Sequence, residues 1–373
     1  MEHRFRGTPF TVGVEEELML IDAETLELTQ GIEAILGDLG KQFEGQVKPE
    51  LMQSVLEIAT VPHESLAAAA EELRDLRETV RGAAERNGML LAASGTHPTA
   101  LWEDQLIVEE PRYQELAAEL GYIARQELIF GTHVHVGVTG PNKAIYIADG
   151  IRKHLPLLLA LSANSPLWRG EVTGMMSSRT PVFRAFPRVG IPPHYGSWEI
   201  YSRRVKVLMD AGVIPDYTYL WFDVRPHPML GTVEVRVFDQ QTRLDNTVSL
   251  AAMVVALVHR YSTLFDRQEA LVEVPTELID DNKVRAALRG TDGELVDLPK
   301  AEQRPAREMA SRLLDELREH AQEVGCEAEL DGVRALIKSG TGAHRQLEVL
   351  ERSGDVRALV RALCDATRTD SPG

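Results

Sequence analysis

The sequence predicts an α+β fold, not a parallel doubly wound sheet. Several short segments alternate with a period of two yet place carboxylates or imidazoles along one side, whereas parallel strands buried on both faces read as continuous apolar runs. Helical stretches rich in Ala and Leu separate these segments. With 373 residues, 44% hydrophobic and 26% charged, there is apolar material for a sizeable core.

Thr11 to Asp22 reads as a strand. Val12, Val14, Leu18 and Leu20 share one face, and Glu15 and Glu17 the other, because side chains two apart on a strand point the same way. Glu16 falls on the apolar face, a misfit the pattern leaves unexplained. Residues 47–51 and 54–60 also read as extended, with Pro49 limiting the first and Pro62 ending the run. Glu64 to Asn87 is a helix ending near Gly88. Met89 to Ser94 is a strand and Arg112 to Leu128 a helix. Phe130 to Val138 alternates, with Thr132, Val134, Val136 and Val138 opposite His133 and His135. Asn142 to Asn164 is an apolar helix after the Gly140–Pro141 break, kinked at Pro156.

Ser165 to Ser197 carries five prolines and four glycines without a sustained period. Irregular connections of this length are uncommon in compact domains and are often functional. Its only acidic residue is Glu171, against Arg169, Arg179, Arg184 and Arg188. Trp198 to Ala211 reads as helix and Tyr217 to Val224 as extended. Thr232 to Phe238 alternates, with Val233, Val235 and Val237 opposite Thr232, Glu234, Arg236 and Phe238. Asn246 to Phe265 is a largely buried helix. The rest is charged and mostly helical, with a turn at Thr291–Gly293. This divides the chain into an α+β domain over 1–265 and a mostly helical region over 266–373 packed on it. Met1–Pro9 and Thr369–Gly373 are expected to be loose.

A formal charge of −17 argues against nucleic acid or an anionic membrane as partner. It does not argue against ATP, since a local basic site with bound metal reverses the sign nearby. No apolar run approaches the ~20 residues of a membrane span, and no secretory signal is legible. Cys326 and Cys364 lie far apart, in no metal or redox spacing, as expected of thiols in a reducing cytoplasm. Small molecules are the expected partners, and the composition leaves room for a homo-oligomer.

Glu15 and Glu17 on one strand face repel each other and resist desolvation, and a cation between them removes both penalties. A strand facing water tolerates the same pair, so this strand alone does not decide. Glu50, Glu57, Glu234, His133 and His135 recur in strand-like apolar surroundings, and together they favour a shared metal site. Zinc prefers nitrogen and sulfur ligands. The carboxylate excess and the lack of a nearby cysteine favour magnesium or manganese. Arginines such as Arg179, Arg184 and Arg188 bind phosphate bidentately when they are not simply solvated. Arg236 shares a face with Glu234. No phosphate-binding G-x-x-x-x-G-K-[ST] loop, dinucleotide fingerprint or nucleophile elbow is present.

The residues Gly13-Val-Glu-Glu-Glu17, Glu50 and Glu57, and Gly131-Thr-His-Val-His135-Val-Gly137 then gain a common meaning. With Ser162-Ala-Asn-Ser-Pro-Leu-Trp168, Ser177-Ser-Arg179 and Val233-Glu-Val-Arg236, the chain resembles the bacterial carboxylate–amine ligases called glutamate–cysteine ligase type 2. The resemblance runs from about Thr11 to Asn246. It implies a curved antiparallel sheet of about six strands with helices on its outer face. The concave side would form an active-site funnel, as in glutamine synthetase and guanidino kinases. It also implies that Glu15, Glu17, Glu50, Glu57, His133 and Glu234 hold magnesium with ATP, and that Arg179 and Arg236 contact phosphate or the transition state. The implied reaction activates the γ-carboxylate of glutamate as an acyl phosphate, which the amine of cysteine or another amine attacks. His135 stands where the better-characterised branch carries asparagine. Alternatives are a guanidino or small-molecule kinase on the same sheet, and a catalytically silent metal- or nucleotide-binding regulator.

Overall fold

A computed structural model describes residues 1–298 and 300–369. The first strand, β1 (Val12–Asp22), is followed by a short helix α1 (Ile32–Leu39), then β2 (Val47–Pro49) and β3 (Val55–Ala59). Next come α2 (Leu66–Arg86) and β4 (Met89–Ala92). The sequence reading missed α1, which has only Ile32, Ile35 and Leu39 buried. Ser65 caps α2 by accepting the Ala68 N–H. Leu66, Ala69, Leu73, Leu76 and Val80 then recur at three- and four-residue spacing on its buried side.

The predicted helix over 112–128 is two pieces, α3 (Pro111–Leu120) and α4 (Tyr122–Arg125), parted by Gly121 at φ 55. After β5 (Gly131–Gly137), the predicted helix over 142–164 is also divided. It comprises α5 (Pro141–Ile151), a 3₁₀ turn over Arg152–His154, and α6 (Leu155–Ser162). Pro156 lies in the first turn of α6, where its missing N–H costs nothing. The break therefore precedes the proline.

The Pro- and Gly-rich connection holds only small elements: the hairpin β6 (Leu167–Trp168) and β7 (Glu171–Val172), α7 (Arg179–Phe183) and β8 (Val189–Gly190). After α8 (Trp198–Asp210), residues 217–224 are not one strand. A 3₁₀ turn over Tyr217–Tyr219 leads to β9 (Trp221–Phe222), which pairs with β8, and then to β10 (Val224–His227). β11 (Thr232–Asp239) and α9 (Leu244–Asp266) follow.

One sheet contains seven strands. Six run in the order β10-β11-β5-β1-β3-β2, every neighbour antiparallel, and β4 is the seventh. β1 is central: β3 takes one edge, while β5 and β4 share the other in succession. Val14, Leu18, Val134, Val136, Val233 and Val235 face the main core, against α2, α5, α6 and α9. β11 departs from simple alternation. Val235 pairs with Val134 but Phe238 with Thr132, so a bulge lies between them. The extra residue turns Phe238 into the core, not onto the Glu234 face as the alternation predicts.

The same core explains Glu16. It is fully buried, and the Arg77 guanidinium of α2 meets it with two 2.6 Å hydrogen bonds, one to each oxygen. Thr247 of α9 donates a third, at 2.6 Å. Arg77 also donates to the carbonyls of Gln241 and Thr242, each at 2.9 Å. Replacing Arg77 by Met should cost about 3–5 kcal/mol, because it strands a buried carboxylate. Urea unfolding measures this, and a loss below about 1 kcal/mol would make the pair dispensable.

Beyond α9, α10 (Thr276–Arg289) packs on α6, and a hairpin follows, β12 (Glu294–Asp297) with β13 (Glu302–Pro305), where the sequence suggested only a turn. α11 (Ala306–Glu323) lies along α9, with α12 (Glu327–Asp331) and α13 (Val333–Ser339) beside it. α14 (Gly342–Ser353) then leads to α15 (Val356–Thr367), which covers β4. α9 is long and apolar enough to cross a membrane by length and composition, and 67% of its most apolar window is buried inside the protein. The N-terminus is not loose: Phe5 is buried, and Arg4 donates its N–H to the Pro228 carbonyl at 2.8 Å. Of the other expected loose end, residues 370–373 lie outside the described residues.

Candidate active site

Strand register assembles the site. Glu15 of β1 lies opposite His133 of β5, and Glu17 opposite Glu57 of β3. His135 lies opposite Glu234 of β11. All these side chains leave the face away from the helices, because their neighbours Val14, Leu18, Val134 and Val235 take the core side. Glu50, just beyond β2, joins them. Three overlapping groups bring ligand atoms within 4.8 Å of one another: Glu15–Glu57–His133, Glu15–His135–Glu234 and Glu17–Glu50–Glu57.

Glu15, Glu17, Glu50, Glu57, His133, Arg179 and Arg236 line one cavity of about 330 Å³. His133 Nδ1 is 3.0 Å from Glu15, and its shielded Nε2 has no hydrogen-bond partner among the described residues. Glu234 lies beneath the lining, 1% exposed. Arg225 bonds both its oxygens, at 2.6 and 3.2 Å, and Arg236 pairs with it too. His135, which the pattern places with the shared metal site but the resemblance leaves out of the ligand set, bridges Glu15 at 3.5 Å and Glu234 at 3.8 Å.

Arg179 reaches the cavity from α7, and the other arginines of its segment do not join the carboxylates. Arg169 pairs with Glu103, and Arg184 with Asp280. Arg188 donates to the Tyr219 carbonyl and lies over Trp221. Arg179 is set in place by a buried relay. Asp239 accepts the hydroxyls of Ser165 and Ser177 at 2.7 and 2.8 Å, and Ser165 Oγ accepts the Arg179 N–H at 3.1 Å. The guanidinium lies across Gly131, where a Cβ would come within 2.5 Å of it. Among the described residues, the Nε atoms of Arg179 and Arg236 have no hydrogen-bond partner.

The carboxyls titrate apart. Burial, with Arg179 opposing, pushes Glu17 up to about 7. Burial and Glu57 hold Glu50 well above the usual range, and burial and Glu15 raise Glu57. Burial works against Glu15 as well, but His135 and His133 outweigh it and hold that carboxyl well below the usual range. Burial and then Arg236 hold His133 down to about 4. This donor set fits a hard divalent cation: crowded, desolvated carboxylates with one neutral imidazole nitrogen left free. A raised carboxyl binds more protons folded than unfolded, so its contribution to stability weakens as pH climbs from its unfolded value to its folded one. Glu17→Gln should therefore gain stability over the metal-free wild type between about pH 5 and about pH 7.5. Thermal melts across that range check it, and a difference that does not change with pH would contradict the burial of Glu17.

Some contributors escaped the sequence reading. Arg225 sits one residue past the segment read as extended. Lys48 bonds Glu57 at 2.8 Å; it lies two residues before Glu50, a spacing that placed it on the same face. Glu127 lines the cavity but was read as one more polar residue of a helix.

The chain matches the family model described as glutamate–cysteine ligase family 2 over residues 11–362. Two proteins of Rubrobacter xylanophilus are among its relatives. One, provisionally named glutamate–cysteine ligase 2-1, is 41% identical over 99% of this chain and 97% of its own length. The other, provisionally named glutamate–cysteine ligase 2-3, is 44% identical over 98% and 100%. Among solved structures, a Francisella tularensis glutamate–cysteine ligase in complex with AMP superposes with a TM-score of 0.73 at 14% identity, covering 99% of this chain and 90% of that one. A bifunctional glutathione synthetase from Pasteurella multocida gives 0.68 at 13% identity, over 96% of this chain and 52% of that one. These two likenesses establish the fold.

Proposed function

The chain belongs to glutamate–cysteine ligase family 2, and we propose that it is an ATP-dependent ligase joining a carboxylate, the γ-carboxylate of glutamate, to cysteine or another amine. The observation that carries this reading is a single cavity with carboxylates and His133 at ligand spacing on one wall and the free guanidinium edges of Arg179 and Arg236 beside them. The AMP held by the Francisella ligase agrees with a nucleotide here. In this reading the sheet's open face is the concave funnel of the glutamine synthetase and guanidino kinase type. Residues 1–265 form the catalytic unit, 266–373 pack on it as a helical part, and the enzyme works in the cytoplasm.

Glu15, Glu17, Glu50, Glu57 and His133, with Glu234 behind them, would hold magnesium or manganese, which when bound would neutralise phosphate charge. Arg179 and Arg236 donate to the transferring phosphoryl group and stabilise its charge. A γ-carboxylate oxygen attacks the γ-phosphorus of ATP, the bond to the β–γ bridging oxygen breaks, and ADP leaves. The amine then attacks the acyl carbon and loses a proton. The C–O bond breaks, and phosphate departs with one former carboxylate oxygen.

Oxygen-18 in the γ-carboxylate should therefore appear in the released phosphate, with ADP as the nucleotide product and a strict need for magnesium or manganese. Mass spectrometry of the products tests each point. AMP with pyrophosphate, or unlabelled phosphate alongside amide, overturns the acyl-phosphate route. ADP with a phosphorylated small molecule and no amide points to a kinase, and nucleotide binding without turnover for any amino-acid pair points to a regulator.

A further inference from the structure

Glu127 follows α4 and precedes β5, and its side chain reaches the wall of the same cavity as Glu17, Arg179 and Arg236. Its Oε2 is sealed from solvent and, among the described residues, meets no hydrogen-bond donor. Burial and then Glu17 disfavour its anion, and Arg179 and Arg236 only partly oppose them. Nor does it belong to any of the three groups of clustered ligand atoms. A shielded acceptor without a donor is costly, so a partner is expected to arrive with a ligand.

The chemistry of the candidate ligands narrows that partner. Phosphates and carboxylates bring acceptors and negative charge, which suit the free Nε atoms of Arg179 and Arg236; Glu127 could meet them only in its protonated form. An ammonium group brings donors and positive charge together. We infer that Glu127 is a substrate-recognition residue that receives the ammonium group of an amino-acid substrate. Burial and then Glu17 push its carboxyl up to about 8, and an incoming cation favours the ionised form. The inference rests on the ligase reading above and deepens it: the site recognises an ammonium group as well as a phosphate and a carboxylate. Two ammonium groups qualify, the α-ammonium of glutamate and the amine of the acceptor.

Calorimetry on the full chain with Mg-ATP analogue present separates the two sources through paired ligands, L-glutamate against glutarate and L-cysteine against 3-mercaptopropionate. Wild type should prefer the amine-bearing member of one pair. Glu127→Gln should erase that preference, weakening only that ligand by roughly tenfold to a hundredfold, the size of one charge-assisted hydrogen bond. Glu127→Asp, which keeps the charge, should retain part of it and covers the case in which the glutamine variant folds poorly. Loss in the first pair assigns Glu127 to the carboxylate substrate, and loss in the second assigns it to the acceptor. Equal weakening of both members of each pair, a shift confined to magnesium or ATP affinity, or a wild type without preference in either pair overturns the inference. The product and nucleotide measurements described above judge the ligase reading separately.

Discussion

Glu57→Gln is expected to abolish turnover while leaving the protein folded. A side chain supporting a metal ligand is worth about 10–100-fold, so a ligand itself should cost more than about 100-fold. Glu57 belongs to two of the three ligand groups, so its loss weakens both at once. The fold should tolerate the change. Burial and Glu15 already disfavour the Glu57 anion, and the amide keeps an acceptor for Lys48. Glu15 is a poorer probe, because His135 and His133 stabilise its charge and would lose their partner. Steady-state ADP release and a thermal melt on the same sample decide the matter. Full activity in well-folded Glu57→Gln would remove that residue from the metal site.

Arg179→Lys is expected to remove about 2–4 kcal/mol of transition-state stabilisation, by analogy with deleting one preorganised donor. That corresponds to roughly 30- to 1000-fold in kcat/KM. Lysine keeps the charge but cannot lie flat across Gly131 or present a planar fork. Gly131→Ala offers an independent check: it leaves Arg179 intact but places a methyl within 2.5 Å of its guanidinium, and should lower kcat without removing any functional group. Arg184→Lys is the contrast, since Arg184 bonds Asp280 on the surface and should change kcat/KM by less than about threefold. Equal, small effects at positions 179 and 184 would leave Arg179 a structural residue with no part in phosphate binding.

Alternation made the carboxylates legible. Glu15, Glu17, Glu57 and His133 sit in regular strands, where side chains two apart share a face, so their meeting in one cavity follows from pattern and register. Residues beyond that rule were harder to read. Phe238 lies past a bulge, which moves it to the other face. Arg225 lies past the segment read as strand, and its contact with Glu234 depends on a pairing nine residues away that no local pattern encodes. Glu16 looked like an error because its partner, Arg77, is on a helix 61 residues later. The breaks in the two long predicted helices come from Gly121 and from a 3₁₀ turn ahead of Pro156. Neither interrupts the apolar spacing from which the helices were read.

The burial of Glu16 also bears on how the chain finds its pairing partners during folding. Three consecutive glutamates look interchangeable, and the strand that carries them might be expected to slide. A slip by one residue exchanges the faces of a strand. It would drive Glu15 and Glu17 together against the helices, where Arg77 can neutralise only one of them, and would lift Val14 and Leu18 into the cavity. The misaligned state thus carries an uncompensated charge in the core as well as lost apolar burial. A single guanidinium on α2, on the opposite face of the sheet from the cavity, therefore sets the central strand's alignment by charge as well as by apolar burial.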